Sequence, residues 1–393
     1  MLEGVKVLSF THFLQGPSCS QTLGDLGADV VKIESTGGAF ERGWAGPGSF
    51  VNGVSMFFLL GNRNLRSIAI DLKSEEGKKM IYDLVKTYDV VVENFRPGVM
   101  DRLGFSYEKL KEINSRVIYC SCSGYGSSGP YVNKPGQDLL AQSIGGLVDM
   151  TGREQPSAAG SSIVDQHGAI LAALGIVSAV YEREKTGHGH KIDASLLNAA
   201  LDLQIEPLAY YMNAKPTVAE KRITTGLGTR IHGSPYGVYK TADGYLTMSL
   251  TGFDKLAEVF EPGALDGFTE KDQVERRAQF DRVLSEQMEK KTTKEWTDIF
   301  EKNKMWYAPV NTYEDVINDP QVVWNESIMT MEYPKAGKVR VICHPLRYDG
   351  EPPRLNRRPP RLGEHTAEVL RECGYSDEQI SACKDRGLLY WEE

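Results

Sequence analysis

The segment from Ser161 to Gly168 has the clearest chemical content in the chain. A short apolar stretch is followed by one carboxylate, Asp165, at the start of a predicted helix rich in alanine and glycine. A carboxylate in that position can accept backbone N–H bonds and is stabilised by the positive end of the helix dipole. It can be a simple helix cap, or it can act as a nucleophile or base once water is excluded. The segment alone favours the cap.

The segment that follows the predicted strand Val90–Val92 is a second candidate site. It supplies a side-chain amide, an aromatic ring and two guanidinium groups, which could hold a base and a phosphate group. Ligands of open parallel sheets bind at this carboxyl edge. A solvated loop is the alternative interpretation. The residues concerned are Asn94, Phe95, Arg96 and Arg102.

The loop from Ser123 to Asp138 is rich in glycine and serine and carries Lys134. It is either a flexible connection or a lid over a binding site. No group of side chains has the spacing of metal ligands, because Cys120 and Cys122 stand two apart rather than in CxxC pairs. We therefore expect no metal, and reduced cysteines of the kind found in cytosolic proteins.

Charge and length narrow the class of protein further. The chain has 393 residues, with 45 Lys and Arg against 53 Asp and Glu, which gives a net charge of -8. This balance argues against a surface built to bind nucleic acid or anionic membrane, and the length predicts more than one domain. The longest apolar stretch, 169–181, is too short to span a bilayer, and the first residues lack a signal peptide's basic start. We expect a cytoplasmic protein.

Strands and helices alternate over the first 120 residues, which predicts right-handed βαβ units and a parallel sheet covered on both faces. The turn after the first strand, 11–17, lacks the GxGxxG motif that lets a backbone approach a pyrophosphate. This argues against an NAD or FAD dehydrogenase, although Glu34 ends the second strand. The predicted strands are 5–10, 30–33, 67–70, 90–92 and 116–121, with helices ending at 26 and spanning 75–86 and 107–113.

The rest of the chain is organised differently. The small-residue helix over 168–181 should be buried, and the alternating runs of 234–250 predict a β-hairpin. A proline-rich stretch, 350–360, predicts an extended strap before a last helix near Glu364. The fold class is therefore α/β, a Rossmann-like parallel sheet with a smaller α+β domain. The predicted domains are 1–215 (large α/β), 222–326 (small α+β) and 327–393 (a strap and helix that return to the large domain).

Taken together, many separate blocks resemble the class III CoA-transferases, the CaiB/BaiF family that includes formyl-CoA transferase. The likeness runs over nearly the whole chain, with the blocks in the family's order. They are THFLQGPSCSQTLGDLGADVVKIE, NRNLRSIAIDLKSEEGK, VVENFRPGVMDRLGF, CSGYGSSGP, the Asp165 helix, KTGHGHKID, SPYGVYKTADGYL and RLGEHTAEVL.

The resemblance implies an enzyme that moves CoA from an acyl-CoA donor to a free carboxylic acid. Asp165 matches the family's nucleophilic aspartate, which forms first a mixed anhydride and then an aspartyl-CoA thioester. No permanently bound cofactor is implied, since the CoA thioester is a substrate. The family fold also implies an interlocked homodimer. By likeness, the residues near CoA or the acyl group are Leu14, Gln15, Ile70, Asp71, Leu72, Lys73, Asn94, Phe95, Arg96, Arg102, Lys134 and Gln137.

Two departures from formyl-CoA transferase favour a different pair of acids. The glycine run of its mobile loop is reduced here to Gly226-Leu227-Gly228, and its arginine after the second strand is replaced by Ser35. An α-methylacyl-CoA racemase is the alternative function. That branch carries a histidine before an aspartate where this chain has Gln137, so one base of a two-base proton shuttle is missing.

Overall fold

The computed structural model describes residues 1–214, 225–226, 228–351 and 354–392, which group into two compact units. The larger unit contains Met1–Ala141, Ser162–Leu203 and Pro320–Glu393, and the smaller contains Gln142–Ser161 and Gln204–Asp319. These divisions differ from the predicted boundaries, chiefly because 142–161 belongs to the smaller unit. There the carboxylate of Asp149 lies 3.1 Å from the guanidinium of Arg230. Such long-range pairing leaves no local signal in the sequence.

Helices and strands are interspersed along the described part of the chain. The helices are α1 (Gln15–Asp25), α2 (Met56–Leu60), α3 (Glu75–Val85), α4 (Val99–Leu103), α5 (Tyr107–Ile113), α6 (Asp138–Ile144), α7 (Leu147–Met150), α8 (Ile163–Thr186), α9 (Leu196–Asp202), α10 (Ile205–Asn213), α11 (Phe253–Val259), α12 (Asp272–Glu275), α13 (Arg277–Met288), α14 (Thr293–Lys302), α15 (Tyr313–Asn318), α16 (Pro320–Trp324), α17 (Thr366–Glu372) and α18 (Asp377–Asp385), with a short 3-10 helix at Phe40–Arg42. The strands are β1 (Lys6–Phe10), β2 (Asp29–Glu34), β3 (Phe50–Val51), β4 (Val54–Ser55), β5 (Leu65–Ile70), β6 (Val90–Glu93), β7 (Ile118–Ser123), β8 (Lys191–Ser195), β9 (Tyr236–Lys240), β10 (Tyr245–Ser249), β11 (Trp306–Pro309), β12 (Ile328–Tyr333), β13 (Gly337–Ile342) and β14 (Leu389–Tyr390).

The larger unit is built on a seven-stranded sheet in the order β14-β5-β2-β1-β6-β7-β8. All neighbours pair in parallel except β14, which runs antiparallel to β5. Numbered along the chain, the six parallel strands stand in the order 3-2-1-4-5-6, as in doubly wound nucleotide-binding sheets. The predicted Rossmann-like sheet is confirmed. The strand order reverses between β1 and β6, and sheets of this kind bind ligands outside the carboxyl ends of the strands at that point.

Both faces of this sheet are buried, as continuous apolar strands require. Alternate residues of one strand enter different cores: Leu8 joins the cluster with Ile81 of α3, and Val7 joins the cluster with Leu23 of α1. The second cluster also contains Ala172 of α8. The sheet therefore holds α1 and α8 on the same face, and these two helices bring the candidate residues together.

Helix α8 differs from its prediction in length and in burial. It has 24 residues and ends where Gly187 adopts a positive φ of 77°, whereas the sequence predicted a buried helix over 168–181. Its stripe of small residues, including Gly168 and Ala172, is buried, but Ile170 and Leu174 are exposed. By length and composition alone α8 could cross a membrane, a test that the core helix of a globular protein also passes.

The smaller unit is an α+β structure. Strands β9 and β10 form the predicted hairpin, and β11 completes a three-stranded antiparallel sheet. Helices α13 and α14 pack on it through Phe280, Trp296 and Phe300, which share one buried cluster with Tyr239. A capping box, in which Thr292 and the Glu295 side chain exchange hydrogen bonds with backbone N–H groups, starts α14.

The C-terminal residues complete the larger unit. Within the described part of the proline-rich stretch, the backbone N–H groups of Asn356 and Arg357 donate to the side chain of Asn64, each at 2.9 Å. The last helix predicted near Glu364 is in fact two helices, α17 and α18. Strand β14 then pairs with β5, with Leu389 opposite Ile70. Two residues are too short to carry a strand pattern, so this pairing escaped prediction.

Candidate active site

Asp165 lies in the first turn of α8, and a different carboxylate caps that helix. Oδ1 of Asp138 accepts the backbone N–H of Val164 at 2.8 Å and that of Asp165 at 3.0 Å. Ser162 occupies the N-cap position without a side-chain cap bond. The interpretation of Asp165 as a helix cap is therefore wrong, because Asp138 performs that role from 27 residues away.

No cation pairs with the carboxylate of Asp165 in the part of the chain that the structure describes. Among the described residues, this carboxylate takes part in no side-chain hydrogen bond or ion pair. Burial, together with the nearby negative charge of Asp138, raises the pKa of Asp165 from 3.8 to about 7. A carboxylate that is partly desolvated and near its pKa at neutral pH is more reactive than a solvated or salt-bridged one.

A buried amide lies against the same turn of α8. The Gln15 side chain is only 4% exposed, and its Nε2 has no hydrogen-bond partner among the described residues. That nitrogen stands 2.7 Å from the point that a Cβ on Gly168 would occupy. Gly168 is one helical turn beyond Asp165, so positions three apart share one helix face. A side chain at 168 would require this amide to shift from its position.

Gln15 is also the first residue of α1, whose N-terminus is tightly packed. Leu14 stands at the N-cap position and supplies no side-chain cap. A Cβ on Gly16 would come within 2.8 Å of the Asn94 side chain, so glycine permits this approach. The N-terminal N–H groups of α1 and the Gln15 amide are thus held in fixed positions, which suits donors that receive developing negative charge.

Asn94 ties the carboxyl ends of β1 and β6 together. Its Oδ1 accepts the backbone N–H of His12 at 2.8 Å, and its Nδ2 donates to the His12 carbonyl at 2.7 Å. The ring of Phe95 lies 5.1 Å from the His12 ring. Burial lowers the pKa of His12, so the imidazole is neutral at pH 7. The Asn94 amide therefore positions the turn between β1 and α1.

Three cationic side chains stand at the carboxyl edge of the sheet. Lys73 follows β5, and Arg96 and Arg102 follow β6. All three are exposed, and among the described residues none forms an ion pair. Most other lysines and arginines of the larger unit are paired with carboxylates, for example Arg66 with Asp29 at 2.6 Å.

Comparison with known proteins places the chain in a family. The profile of CoA-transferase family III matches residues 2–366. The chain belongs to CoA-transferase family III. It is therefore a class III CoA-transferase, an enzyme family whose substrates are CoA thioesters. The sequence-based resemblance is confirmed.

The relatives include CoA-transferases that are named for different pairs of acids. The chain is 35% identical to human succinyl-CoA:glutarate CoA-transferase, over 99% of this chain and 90% of that protein. It is 32% identical to a formyl-CoA:oxalate CoA-transferase of Streptomyces avermitilis, over 99% of both. The crystal structure of a CaiB/BaiF family protein from Brucella suis has a TM-score of 0.81 at 31% identity, covering 95% of this chain and 99% of that one.

The remaining predicted residues of the transferase lie in varied surroundings. Ile70 is fully buried in the core, which leaves its side chain unable to touch a ligand. Leu72 packs partly on the same core, and the Asp71 side chain accepts the backbone N–H of Lys73 at 3.0 Å. These contacts shape the end of β5, where the Lys73 side chain is exposed to solvent.

The loop after β7 is closed at its neck by two glycines. A Cβ on Gly124 would stand 2.4 Å from the Cα of Gly136, so neither position admits a side chain. Lys134 is exposed, with its ammonium 3.7 Å from the centre of the Tyr131 ring. Gln137 is exposed and immediately precedes Asp138. The predicted Gly226-Leu227-Gly228 segment lies only partly within the described residues.

Sequence reasoning missed a second carboxyl group of the transferase. Glu93, at the end of β6, is buried, accepts the backbone N–H of Phe95 at 2.9 Å and bonds the hydroxyl of Ser121. Burial raises the pKa of Glu93 to about 7. Its position at the end of an apolar strand could have identified Glu93 as a candidate site residue. The capping role of Asp138 had no such signal, because its hydrogen-bond partners are remote in the sequence.

Proposed function

We propose that this transferase moves CoA from an acyl-CoA to a free carboxylic acid, with Asp165 as the nucleophile. The observation that carries the proposal is the state of that carboxylate. It is partly buried, pairs with no cation among the described residues, and stands one helical turn from Gly168, against which the Gln15 Nε2 packs. Family membership supports the reaction class. The individual steps and residue roles are our inference.

The proposed reaction conserves the thioester energy through two covalent intermediates. The Asp165 carboxylate attacks the acyl-CoA carbonyl, the C–S bond breaks, and CoA thiolate leaves a mixed anhydride. The thiolate then attacks the aspartyl carbonyl, which releases the donor acid and leaves an aspartyl-CoA thioester. The acceptor carboxylate displaces the thiolate to form a second anhydride. Thiolate attack on the acceptor carbonyl gives the new acyl-CoA and regenerates Asp165.

Each of these attacks places negative charge on a carbonyl oxygen. We assign the Gln15 Nε2–H, helped by the N-terminal N–H groups of α1, as the donor to that oxygen. The amide has no partner of its own among the described residues and is held by burial against Gly168, so it would need no reorganisation during the reaction. A donor of this kind contributes about 3 kcal/mol to barrier lowering.

Trapping of the covalent intermediate tests the nucleophile. The enzyme is incubated with acyl-CoA and hydroxylamine, and the peptide that contains Asp165 is analysed by mass spectrometry. We expect a hydroxamate on Asp165, and loss of both adduct and transfer in Asp165→Asn and Asp165→Ala. Asp298→Ala, which removes an exposed carboxylate on α14, is the matched control and should retain full transfer. Brisk transfer by Asp165→Ala would overturn the proposal.

Oxygen labelling separates the transferase from the racemase alternative. With an acceptor acid carrying heavy oxygen in its carboxylate, a single turnover should leave one heavy oxygen in Asp165, because that carboxylate keeps the bridging oxygen of the second anhydride. A racemase would instead exchange an α-proton of the acyl-CoA with deuterated solvent in the absence of any acceptor. Deuterium exchange without oxygen transfer would favour the racemase.

We further propose that the transferase is a homodimer, interlocked as the family resemblance suggests. The exposed apolar side chains of α8 support a partner surface, since Leu174 and Tyr181 present large apolar areas to solvent in the isolated chain. Sedimentation analysis should give twice the chain mass, and Leu174→Arg should shift the enzyme toward monomer. A monomeric wild type would contradict this part of the proposal.

A further inference from the structure

Four aromatic rings form a continuous surface beside the turn that precedes α1; we name Phe13, Phe40, Trp44 and Phe57 the aromatic patch. Ring centres of Phe13 and Phe40 are 5.2 Å apart, and those of Trp44 and Phe57 are 4.9 Å apart. Phe13 bridges to Trp44 at 6.1 Å and to the ring of His12 at 5.1 Å. These spacings are those of contacting aromatic side chains.

The aromatic patch faces outward. Phe13, Phe40 and Trp44 are 43%, 58% and 41% exposed, which is unusual for three adjoining large apolar groups. Phe13 also adopts a φ of 59°, in the left-handed region that non-glycine residues rarely occupy. Backbone strain of this kind clusters at ligand-binding sites.

Three cations close to the aromatic patch in the chain are neutralised, and of these Arg63 pairs with Asp25 at 2.6 Å. Lys32 and Glu41 form an ion pair of 3.0 Å in which both side chains are fully buried, and Lys32 also donates to the Thr11 carbonyl. Arg42 makes two bonds of 2.7 Å to the buried carboxylate of Glu34. None of these cations is available to a ligand carboxylate.

The aromatic patch adjoins the site of the proposed chemistry along the chain. Phe13 precedes Gln15 by two residues, and the turn that holds both is fixed by the bonds between Asn94 and His12. An acid whose reacting carboxylate lies beside Gln15 would extend its other end along this turn.

We propose that the aromatic patch binds the body of the acid substrate, and that the enzyme prefers an apolar or aromatic monocarboxylate to a dicarboxylate. The inference rests on the proposed function and deepens it. Aromatic rings favour an apolar chain or a ring, whereas a second carboxylate would lose its hydration without gaining Lys32 or Arg42, which already pair with carboxylates. The two relatives described above are instead named for transfer to the dicarboxylates glutarate and oxalate.

A comparison of acceptor acids tests the preference. Valerate and glutarate match in chain length and differ by the second carboxylate, and phenylacetate adds a ring. With acetyl-CoA and succinyl-CoA each as donor, we expect kcat/KM for valerate and phenylacetate to exceed that for glutarate by about tenfold or more. A preference for glutarate over valerate with both donors would overturn the inference.

Variants of the aromatic patch test the location. Trp44→Ala should lower kcat/KM for phenylacetate about tenfold and leave that for glutarate nearly unchanged. Trp324→Ala, which removes another exposed tryptophan, is the matched control and should change neither value. Phe40→Arg should raise the use of glutarate by supplying a free cation, while Phe50→Arg, at an exposed ring of β3, should not. Thermal unfolding of each variant verifies that it folds.

Other occupants of the aromatic patch give different results. If Trp44→Ala slows all acids equally, raises KM for every acyl-CoA, or changes only the oligomeric state, then the patch binds CoA or a second copy of the chain and the inference is overturned. If no acid receives CoA from any donor and Asp165 stays unmodified, the proposed function fails as a whole. Transfer with an inverted acid preference would instead leave the proposed function standing.

Discussion

The carboxylate of Asp138 caps the helix that carries Asp165, with its Oδ1 accepting the backbone N–H of Asp165 at 3.0 Å. One acidic residue thereby fixes the position of another and also acts on its charge. Together with burial, the negative charge of Asp138 raises the pKa of Asp165 to about 7. The cap therefore stabilises the helix while disfavouring ionisation of the residue that we propose as nucleophile.

The first prediction concerns the pH dependence of transfer. Only ionised Asp165 can attack a thioester, so kcat/KM for the acyl-CoA should rise with pH through an apparent pKa of about 7. Asp138→Asn keeps an oxygen for the cap but removes its charge, so the rise should move to lower pH. Burial remains in the variant, and the pKa of Asp165 should stay above 3.8. Rates measured from about pH 5.5 to about pH 8.5 test this shift.

A second carboxyl group could give the same rise. The pKa of Glu93 also lies at about 7, because that side chain is buried. Glu93→Gln serves as the control and should retain the rise in kcat/KM. Its disappearance in Glu93→Gln would assign the titration to Glu93 and contradict the prediction for Asp165.

The second prediction concerns stability. The folded-state pKa of Asp165 is raised, so between about pH 4 and pH 7 the folded chain holds a proton that the unfolded chain releases. The contribution of Asp165 to the free energy of unfolding should therefore fall as pH rises through this range. Asparagine mimics the protonated form, so Asp165→Asn should be more stable than wild type by about 1–3 kcal/mol at pH 8.

The wild type and Asp165→Asn should have nearly equal stability at about pH 4, where the aspartate is largely protonated in the folded chain and half protonated in the unfolded chain. Urea unfolding followed by circular dichroism at the two pH values measures the difference. Asp298→Asn, at an exposed position on α14, should show no such dependence on pH. A destabilised Asp165→Asn at about pH 8 would show that the ionised carboxylate has a stabilising partner.

Much of the larger unit could be predicted because its strands carry their signal locally. The buried run Val90–Val92 and the short alternation of helices and strands predict a parallel sheet, and the structure changes the bounds of each strand by only a residue or two. The burial of α8 was predicted less well, because it depends on contacts with segments that are distant in the sequence. The small apolar residues of α8 do not reveal which side is covered, so the exposure of Leu174 could not be foreseen.

In the candidate site, too, features with a local sequence signal could be predicted and features set by long-range packing could not. Asp165 could be singled out from its position at the start of a helix and from the family resemblance. Its cap could not, because a hydrogen bond between Asp138 and α8 depends on how two segments pack. The hydrogen bonds between the Asn94 side chain and the His12 backbone also join distant segments. The sequence predicted that this amide contacts a ligand, whereas in the structure it holds the turn after β1.

The third prediction assigns a catalytic contribution to the Gln15 amide. Gln15→Leu keeps most of the volume of the buried side chain but removes the donor, so kcat should fall by about tenfold to a thousandfold with little change in KM. Gln166→Leu is the matched control, because its amide lies on the same turn as Asp165 but already donates to Ser18 at 3.3 Å. It should affect kcat much less. An unchanged kcat in Gln15→Leu would remove the amide from the reaction.

The fourth prediction concerns the cations at the carboxyl edge of the sheet. Lys73 lies at the end of β5 and Arg96 and Arg102 beyond β6, strands that are three places apart and so about 14 Å from each other. That distance allows contacts with separate phosphates of one CoA molecule. Replacing Arg96 or Arg102 by alanine should weaken CoA binding by about 1–3 kcal/mol, which is about fivefold to about 150-fold, and should reduce its dependence on salt.

Calorimetric titration of CoA at two salt concentrations measures both effects. Lys86→Ala is the control for a general loss of positive charge, since Lys86 is exposed but already pairs with Asp83 at 2.7 Å. It should bind CoA like the wild type. If Arg102→Ala binds CoA with an unchanged dissociation constant, that guanidinium does not contact phosphate. If the Lys86 variant weakens binding equally, then net charge rather than a defined edge of the sheet attracts CoA.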